Sequence, residues 1–442
     1  MKYYTKILLL LTPLLFVACS KNQTQIQEIK DLTTLPQTAS SYTKNIPAIS
    51  ENLQKELDEK FNELFFKPWD LKKMSHSAED ASWGKMYAKK KMYAENHKLI
   101  PKEWFNKQTH NSNFEEYNTV LKNAITTNNS NLRVYPTKSA MFYNPKKAGE
   151  GFPFDYNQNS SLKINTPLFI SHFSKDRAWV FVETNFAIGW VSTKEIAFID
   201  DVLINKFKSG TYFVATQDNF PIYKNGIFVE YIKMGTIFPL RKNKYVTINK
   251  GANLQGYLSY VKITDEYIQK KPLQFNTQNI NKIADSIIKE PYGWGGIMNH
   301  RDCSAMTKDF FAPFGIYLKR NSAGQIKRGK YIELKDLSLE EKKKQIEQQG
   351  VPFLTLVYLK GHIMLYIGSQ NGEPLVFHNV WGVKTLEDDG EYGRFIIGRA
   401  VITTLEPGRE LPNYVEEKNI LSKIEGIVIL NQNTPNDSQT LN

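Results

Sequence analysis

The chain has 442 residues, too many for one small domain, so about two to four domains are expected. Its 41% hydrophobic and 23% charged residues are ordinary for a globular protein, and the net charge of +12 suits an anionic partner such as nucleic acid, anionic lipid or a carboxylate-rich wall. The nearest basic block interleaved with aromatics, Lys85 to Tyr93, is short, isolated and helical in pattern; it reads as a solvated helix face, so nucleic acid is not an expected partner.

Lys2 and Lys6 precede an apolar stretch, Ile7 to Val17, interrupted only by Thr12 and Pro13. It is shorter than the roughly twenty residues a spanning helix needs, and it fits a signal-peptide core. Ala18-Cys19-Ser20 follows directly and resembles a bacterial lipobox. That resemblance implies removal of residues 1–18, lipidation of Cys19 and a place at the periplasmic face of the envelope. Ser20, where inner-membrane lipoproteins typically carry Asp, favours the outer membrane.

Residues 19–45 are rich in Gln, Thr and Ser and are expected to be a flexible tether. Over 46–127 apolar residues recur at three- and four-residue steps: Leu53, Leu57, Phe61 and Leu64-Phe65, then Trp83, Met86, Tyr87 and Met92. A third helix is expected after Asn113, with Tyr117, Val120, Leu121 and Ala124 on one face.

The pattern then changes to short β runs. Leu168 to Ser171, Trp179 to Thr184 and Ile188 to Ser192 define a block at 128–202, and Thr211 to Ala215, Ile222 to Val229 and Gly256 to Tyr260 define one at 203–265. Asn225-Gly226 is a hairpin-turn signal. The Gly-Trp190-Val and Gly-Tyr257-Leu endings fall at comparable places, and the pair resembles two bacterial SH3-like barrels.

Residues 275–405 read as an α+β domain, helices first and antiparallel strands afterwards. Ile280, Ile283, Ala284, Ile287 and Ile288 form a helical stripe, and Cys303 opens a second helix. A Ser338/Glu341 capping box begins a third that ends at Gly350. Strands follow at 351–359, 362–367 and 375–379. Residues 406–442 are an extension whose tail from 431 is polar.

The chain has two cysteines and seven histidines. With Cys19 assigned to lipid, Cys303 has no disulfide partner in a compartment that favours disulfides, so its thiol needs another reason to be kept. Asp302 is a good N-cap type, which puts the thiol in the first turn of a helix, where unpaired N–H groups and the macrodipole favour the thiolate. His362 opens the strand 362–367 and His378 lies on the next. Neighbouring antiparallel strands can set the two imidazoles side by side, one serving Cys303 and the other orienting the first. A metal site is the rival reading, but no CxxC or HxxxH spacing supports it, so neither metal nor cofactor is expected.

At these residues the sequence resembles the NlpC-type papain-like cell-wall cysteine peptidases. The resemblance is carried by Tyr292-Gly-Trp-Gly-Gly, Asp302-Cys303-Ser304, Leu318-Lys-Arg-Asn-Ser322 with Gln325, Gly361-His362 and His378. With the helical segment and two SH3-like blocks it is similar to the YkfC-like branch, the γ-D-glutamyl-L-diamino acid endopeptidases. This resemblance implies Cys303 as nucleophile, His362 as base and His378 as orienter. It implies that Asp302, Ser304 and Ser322 bind the free amino end and backbone of an L-Ala-γ-D-Glu-diamino acid peptide. Tyr292 would line the site near the oxyanion, and Tyr156 would close the groove from the first SH3-like block. The expected partners are peptidoglycan stem peptides and, through Cys19, the membrane. Two rival functions share the motifs: a remodeller of intact peptidoglycan, and a non-catalytic wall-binding lipoprotein. Ala305 replaces the usual Gly after Asp-Cys-Ser, and Leu354 to Tyr358 stands where a Pro-Gly-Asp is usual.

Overall fold

The computed structural model describes residues 28–44 and 46–430. Cys19 and the tail from 431 therefore lie outside the described residues. Among the described residues no helix is long and apolar enough to cross a membrane.

The helix Glu51–Phe66 starts at a Ser50 cap that accepts from the Leu53 N–H. It buries Phe61 and Phe66 between the modules that follow. The first β module is one antiparallel sheet of seven strands. Its order is Gln158–Leu162, Ser130–Arg133, Ile188–Ser192, Trp179–Glu183, Pro167–Phe173, Lys122–Thr126 and Ile196–Phe198. Apolar side chains from alternate positions, among them Leu168, Ile170, Val180, Val182 and Val191, fill its interior. A second β module holds a five-stranded sheet between Thr211 and Lys270, plus a hairpin of Phe220–Lys224 and Ile227–Ile232. Asn225 and Gly226 turn that hairpin with φ of 48° and 78°, the left-handed pair such a turn requires.

The third module is α+β, as its sequence order predicts. Helices α1 (Thr277–Ile287), α2 (Cys303–Phe311) and α3 (Leu339–Gln349) pack on a six-stranded antiparallel sheet. Its strands are β1 (Lys330–Glu333), β2 (Thr355–Leu359), β3 (His362–Gln370), β4 (Glu373–Leu386), β5 (Tyr392–Thr404) and β6 (Ile424–Ile429), in the order β1-β6-β2-β3-β4-β5. Ile280, Ile283 and Ile287 of α1 and Met306 and Phe310 of α2 meet Leu356, Ile363, Leu365, Phe377 and Ile402 of the sheet in one core. The Ser338/Glu341 capping box forms with both reciprocal bonds.

Three expectations are corrected. Residues 28–44 are not a loose tether. Ile29 is fully buried, Asp31 accepts from Thr404, Gln37 bonds Ile402, and the Ala39 N–H donates to Asp285. The helix expected after Asn113 does not form: Asn113 takes φ of 50° with no side-chain cap, only a 3-10 turn, Phe114–Glu116, follows, and Lys122–Thr126 is already a strand of the first sheet. Tyr117 and Ala124 serve that module's packing instead, where sheet burial outweighs a helical spacing. Finally, the extension after 405 continues the third module, because β6 inserts between β1 and β2.

Arg301, 2% exposed, ties the second and third modules together. Its Nε donates to Asp309 at 2.7 Å and its Nη2 to Asp218 of the second module at 2.9 Å, and its Nη1 also reaches Asp218 and Glu290. Lys233 adds a second cation, 3.1 Å from both Asp218 and Glu290. Removing one partner of a buried charge set leaves the others uncompensated. Arg301→Met is therefore expected to cost about 3–5 kcal/mol in urea unfolding; a loss under about 1 kcal/mol would show the set to be dispensable.

Candidate active site

Asp302 starts the site. It is the N-cap of α2, with Oδ1 accepting from the Ala305 N–H at 2.9 Å. This fixes Cys303 as the first helical residue. The preceding loop is drawn in by the Gly295 N–H, which donates to Asp302 Oδ2 at 3.1 Å. Gly295 and Gly296 have φ of 59° and 84°, and a Cβ on Gly296 would lie 2.2 Å from Ser161 Oγ of the first β module. Glycine is required there by conformation and by close approach alike.

Arg320 completes the cap. Its guanidinium donates to both Asp302 oxygens at 2.9 and 2.7 Å, to Ser304 Oγ at 2.9 Å and, through Nε, to Ser160 Oγ at 2.9 Å. Ser304 Oγ donates to Asp302 Oδ1 at 3.1 Å. The carboxylate expected to receive a substrate ammonium is thus already committed to an arginine, to two backbone N–H groups and to a hydroxyl. Burial works against its charge, but Arg320 prevails and holds the carboxyl below its ordinary range. Gln325, buried, donates to the Ser304 and Lys319 carbonyls and accepts from Thr307, which locks the 318–325 loop onto α2. Ser322 begins the short helix Ser322–Gln325 beside this set, and the described hydrogen bonds do not draw its hydroxyl in.

The two histidines meet as the strand argument requires. His362 Nε2 lies 2.9 Å from His378 Nδ1, and His378 Nε2 lies 3.0 Å from Thr403 Oγ1. The direction of this chain follows from its far end. The Thr403 hydroxyl donates to the Thr404 carbonyl at 2.7 Å, so its oxygen accepts from His378 Nε2–H. His378 Nδ1 is then bare and accepts from His362 Nε2–H. His362 keeps Nδ1 as its basic nitrogen, and no protein group among the described residues occupies it. The thiol of Cys303 rests against the backbone N–H groups of Ile363, next to His362, and of Ser304.

Charge at the site differs from the helix-terminus expectation. Burial, reinforced by the neighbouring Asp302 carboxylate, pushes the Cys303 thiol up to about 12. Burial pulls His362 down to about 4 and His378 well below the ordinary imidazole value. Desolvation exceeds the macrodipole here, and the resting pair is thiol and neutral imidazole. Such a pair can act by general-base removal of the thiol proton during attack.

A cleft of about 390 Å³ opens beside His362, with Tyr156, Tyr292 and Trp294 on its wall. Tyr156 lies on this wall, its ring 5.7 Å from Trp294 and 4.4 Å from Tyr143. Burial and then the nearby Cys303 and Asp302 raise the Tyr292 phenol well above its ordinary value, so it stays a donor. Among the described residues no group of three or more His, Cys, Asp or Glu is placed to hold a metal ion.

Arg320, Thr403 and Asn379, whose Nδ2 holds the Arg301 carbonyl at 2.8 Å just before the cap, are absent from the sequence reading. Arg320 lies inside a quoted motif, so its charge was visible there. Thr403 carries no local signal.

Family models match along the chain in the order of its modules: an NlpC/P60 stabilising N-terminal domain over 8–117, an SH3 domain of the SH3b1 type over 140–192, and the NlpC/P60 family over 289–389. The last span contains Cys303, His362 and His378. The chain carries an NlpC/P60 peptidase domain with an N-terminal stabilising domain and one SH3b domain. A solved NlpC/P60 endopeptidase from Photobacterium damselae subsp. piscicida is similar over 90% of this chain and 97% of its own, with a TM-score of 0.82 and 26% identity. An NlpC/P60 family protein from Bacillus cereus ATCC 10987 aligns over 62% of this chain and 83% of its own, at a TM-score of 0.41 and 15% identity. No curated protein matches. The second β module lies outside the SH3 match.

Two outcomes follow from the relay. Thr403→Val frees His378 to carry its proton on Nδ1, which would place a proton on His362 Nδ1 and remove the base. It is expected to lower kcat/KM about 10²-fold, with Thr403→Ser restoring it, since general-base catalysis is worth about 10²–10⁴; equal activity of the valine variant would refute the wiring. The second concerns pH. With His362 neutral down to about 4, kcat/KM should stay level from neutral to about pH 5 and fall only below about 4. Both histidines are held below their ordinary 6.5, so the unfolded chain binds protons first and stability declines as pH falls from 6.5 through about 4. Brief exposures separate the two effects, and an activity limb near 6.5 would contradict the neutral pair.

Proposed function

We propose that the protein is a cell-wall cysteine endopeptidase that hydrolyses the γ-D-glutamyl–diamino acid bond of peptidoglycan stem peptides, acting from the periplasmic face through a lipidated Cys19. The observation that carries the reading is the His362–His378–Thr403 chain set against a lone thiol at a helix N-terminus, within the NlpC/P60 match.

In this reading His362 Nδ1 takes the thiol proton as Cys303 Sγ attacks the γ-carbonyl carbon. The oxyanion is held by N–H groups of the first turn of α2 and by the Tyr292 hydroxyl. Collapse expels the diamino acid amine, which receives the proton from His362. A water, deprotonated by the same nitrogen, then attacks the thioester and releases the glutamyl carboxylate and the thiol. The β module at 211–270 is read as a second SH3-like domain, in keeping with the YkfC-like branch. The preferred substrate is a stem with a free L-Ala amine. The support is the aromatic wall of Tyr156 and Trp294 that lines the cleft beside His362. A second reading, cleavage of intact peptidoglycan, is favoured by the Asp302–Arg320 pair, which leaves no bare carboxylate for an ammonium.

Mass spectrometry of products decides between them. Mature protein lacking lipid, and its Cys303→Ala variant, are given L-Ala-γ-D-Glu-diaminopimelate, the muramyl-linked peptide and intact sacculi. Release of L-Ala-D-Glu from the first substrate alone, lost in the variant, is the expected result. Cleavage of sacculi transfers the reading to remodelling, and no cleavage of any substrate refutes the peptidase.

A further inference from the structure

The cleft beside His362 has a cationic side. Lys384 of β4, Arg394 of β5, and Lys418 and Lys423 of the segment before and after Asn419 all line it. None of the four forms an ion pair among the described residues, although the third module places other lysines and arginines in pairs, such as Lys343 with Glu406 and Arg399 with Glu28. The charges felt by Lys384 are those of Arg394 and Lys418, and those felt by Lys423 are Lys384, Arg394 and Lys418. Burial, and then mutual repulsion, lowers both lysines, and no carboxylate offsets it.

Two hydrogen-bonding groups on the same wall are also left over. Arg394 Nε is a buried atom with no partner, the Tyr414 hydroxyl beside Asn419 finds no acceptor for its own proton, and Arg394 Nη1 reaches only the Gly382 carbonyl, at 3.5 Å. Buried donors of this kind cost free energy unless something accepts from them. Four like charges and two unused donors around one cavity are complementary to a ligand with more than one anionic oxygen.

The position says which part of a ligand that is. His362 is on the wall of this cleft, whereas Cys303 and Asp302 are not. The amine expelled from the scissile bond takes its proton from His362, so the amino acid that owns the amine extends into the cleft. A diamino acid ending in a lone ammonium would be repelled there. One whose side chain ends in a carboxylate beside the ammonium would be held.

Resting on the function proposed above, we infer that Lys384, Arg394, Lys418, Lys423 and the Tyr414 hydroxyl form a carboxylate subsite for the leaving amino acid. Arg394, Tyr414, Lys418 and Lys423 lie beyond the 289–389 match, so this subsite is a property of this chain's long β4–β5 ribbon and C-terminal segment.

The test uses the mature protein and three peptides that differ only on the leaving side: L-Ala-γ-D-Glu-diaminopimelate with free carboxylates, the same peptide with both leaving-side carboxylates as carboxamides, and the lysine peptide. The free acid is expected to exceed each of the others in kcat/KM by at least about tenfold, chiefly through KM, as a site built for a polar group rejects analogues lacking it. Arg394→Gln with Lys423→Gln should remove most of that preference, and Arg394→Lys should restore part of it; far-ultraviolet circular dichroism checks that each variant is folded. Equal rates on the three peptides, or an unchanged preference in the folded double variant, overturns the subsite. Should none of the peptides be cleaved, the function proposed above fails instead. The subsite is then read from the thermal midpoint of the Cys303→Ala protein with free diaminopimelate against free lysine. A rise with the former alone sustains it, and no rise overturns it.

Discussion

One carboxylate organises this molecule's chemistry. Asp302 caps α2, anchors the Gly295 loop and accepts the Arg320 guanidinium, whose Nε extends to Ser160 of the first β module. A single ion pair therefore sets where Cys303 stands, how the Tyr292 loop approaches, and how closely the SH3b domain seats against the peptidase. Without Arg320 the carboxylate would be a buried, uncompensated charge beside a thiol, and burial would favour its protonation. Without Asp302, α2 would lose its cap and the guanidinium its partner. Each half of the pair is tolerable only because of the other, which is the usual condition of buried ions.

The same carboxylate shapes reactivity. It opposes ionisation of the neighbouring thiol, and burial acts in the same direction on Cys303 and in the opposite direction on the two imidazoles. The thiol and the imidazole of His362 therefore rest as two neutral groups. A low-dielectric site penalises a standing ion pair, but it strengthens the hydrogen bonds that stabilise charge once it develops. The Thr403–His378 chain matters for this reason. When the base is neutral at rest, its tautomer, rather than its charge, decides whether it can work.

Legibility in the sequence followed the range of the interaction. The α2 cap at Asp302, the Ser338/Glu341 box, the Asn225-Gly226 turn and the Ile280–Ile287 stripe are encoded within a few residues, and all formed. The two histidines, sixteen residues apart in the sequence, were found through strand alternation and the short turn between their strands. What escaped depends on distant chain. Tyr117 and Ala124 have helical spacing, but the Phe114 and Trp190 cluster and the pairing of Lys122–Thr126 with Pro167–Phe173 offered more burial. The strand Ile424–Ile429 has an ordinary β composition, yet nothing in it says that it will lie between Lys330–Glu333 and Thr355–Leu359 rather than at the outside of the sheet.

 The charge on Arg320 was visible, but its partner lay eighteen residues away, across a loop, and no spacing rule connects the two.

The division of labour among segments has a consequence for specificity. Cys303 and the imidazole chain come from α2, β3, β4 and β5, whose positions are fixed by the shared core. Beyond His362 and the Tyr292 loop, the cleft walls come from elsewhere: residues 149–156 of the first β module, the long ribbon past Val380, and the segment from 407 to 423. Side chains on these outer walls belong to neither the helix cap nor the imidazole chain, so they can change without removing a member of either. Chemistry and recognition can therefore vary separately on this scaffold. The unpaired cations of the cleft are tolerable in part because Lys418 and Lys423 lie exposed on the C-terminal segment, where screening limits the cost of their repulsion.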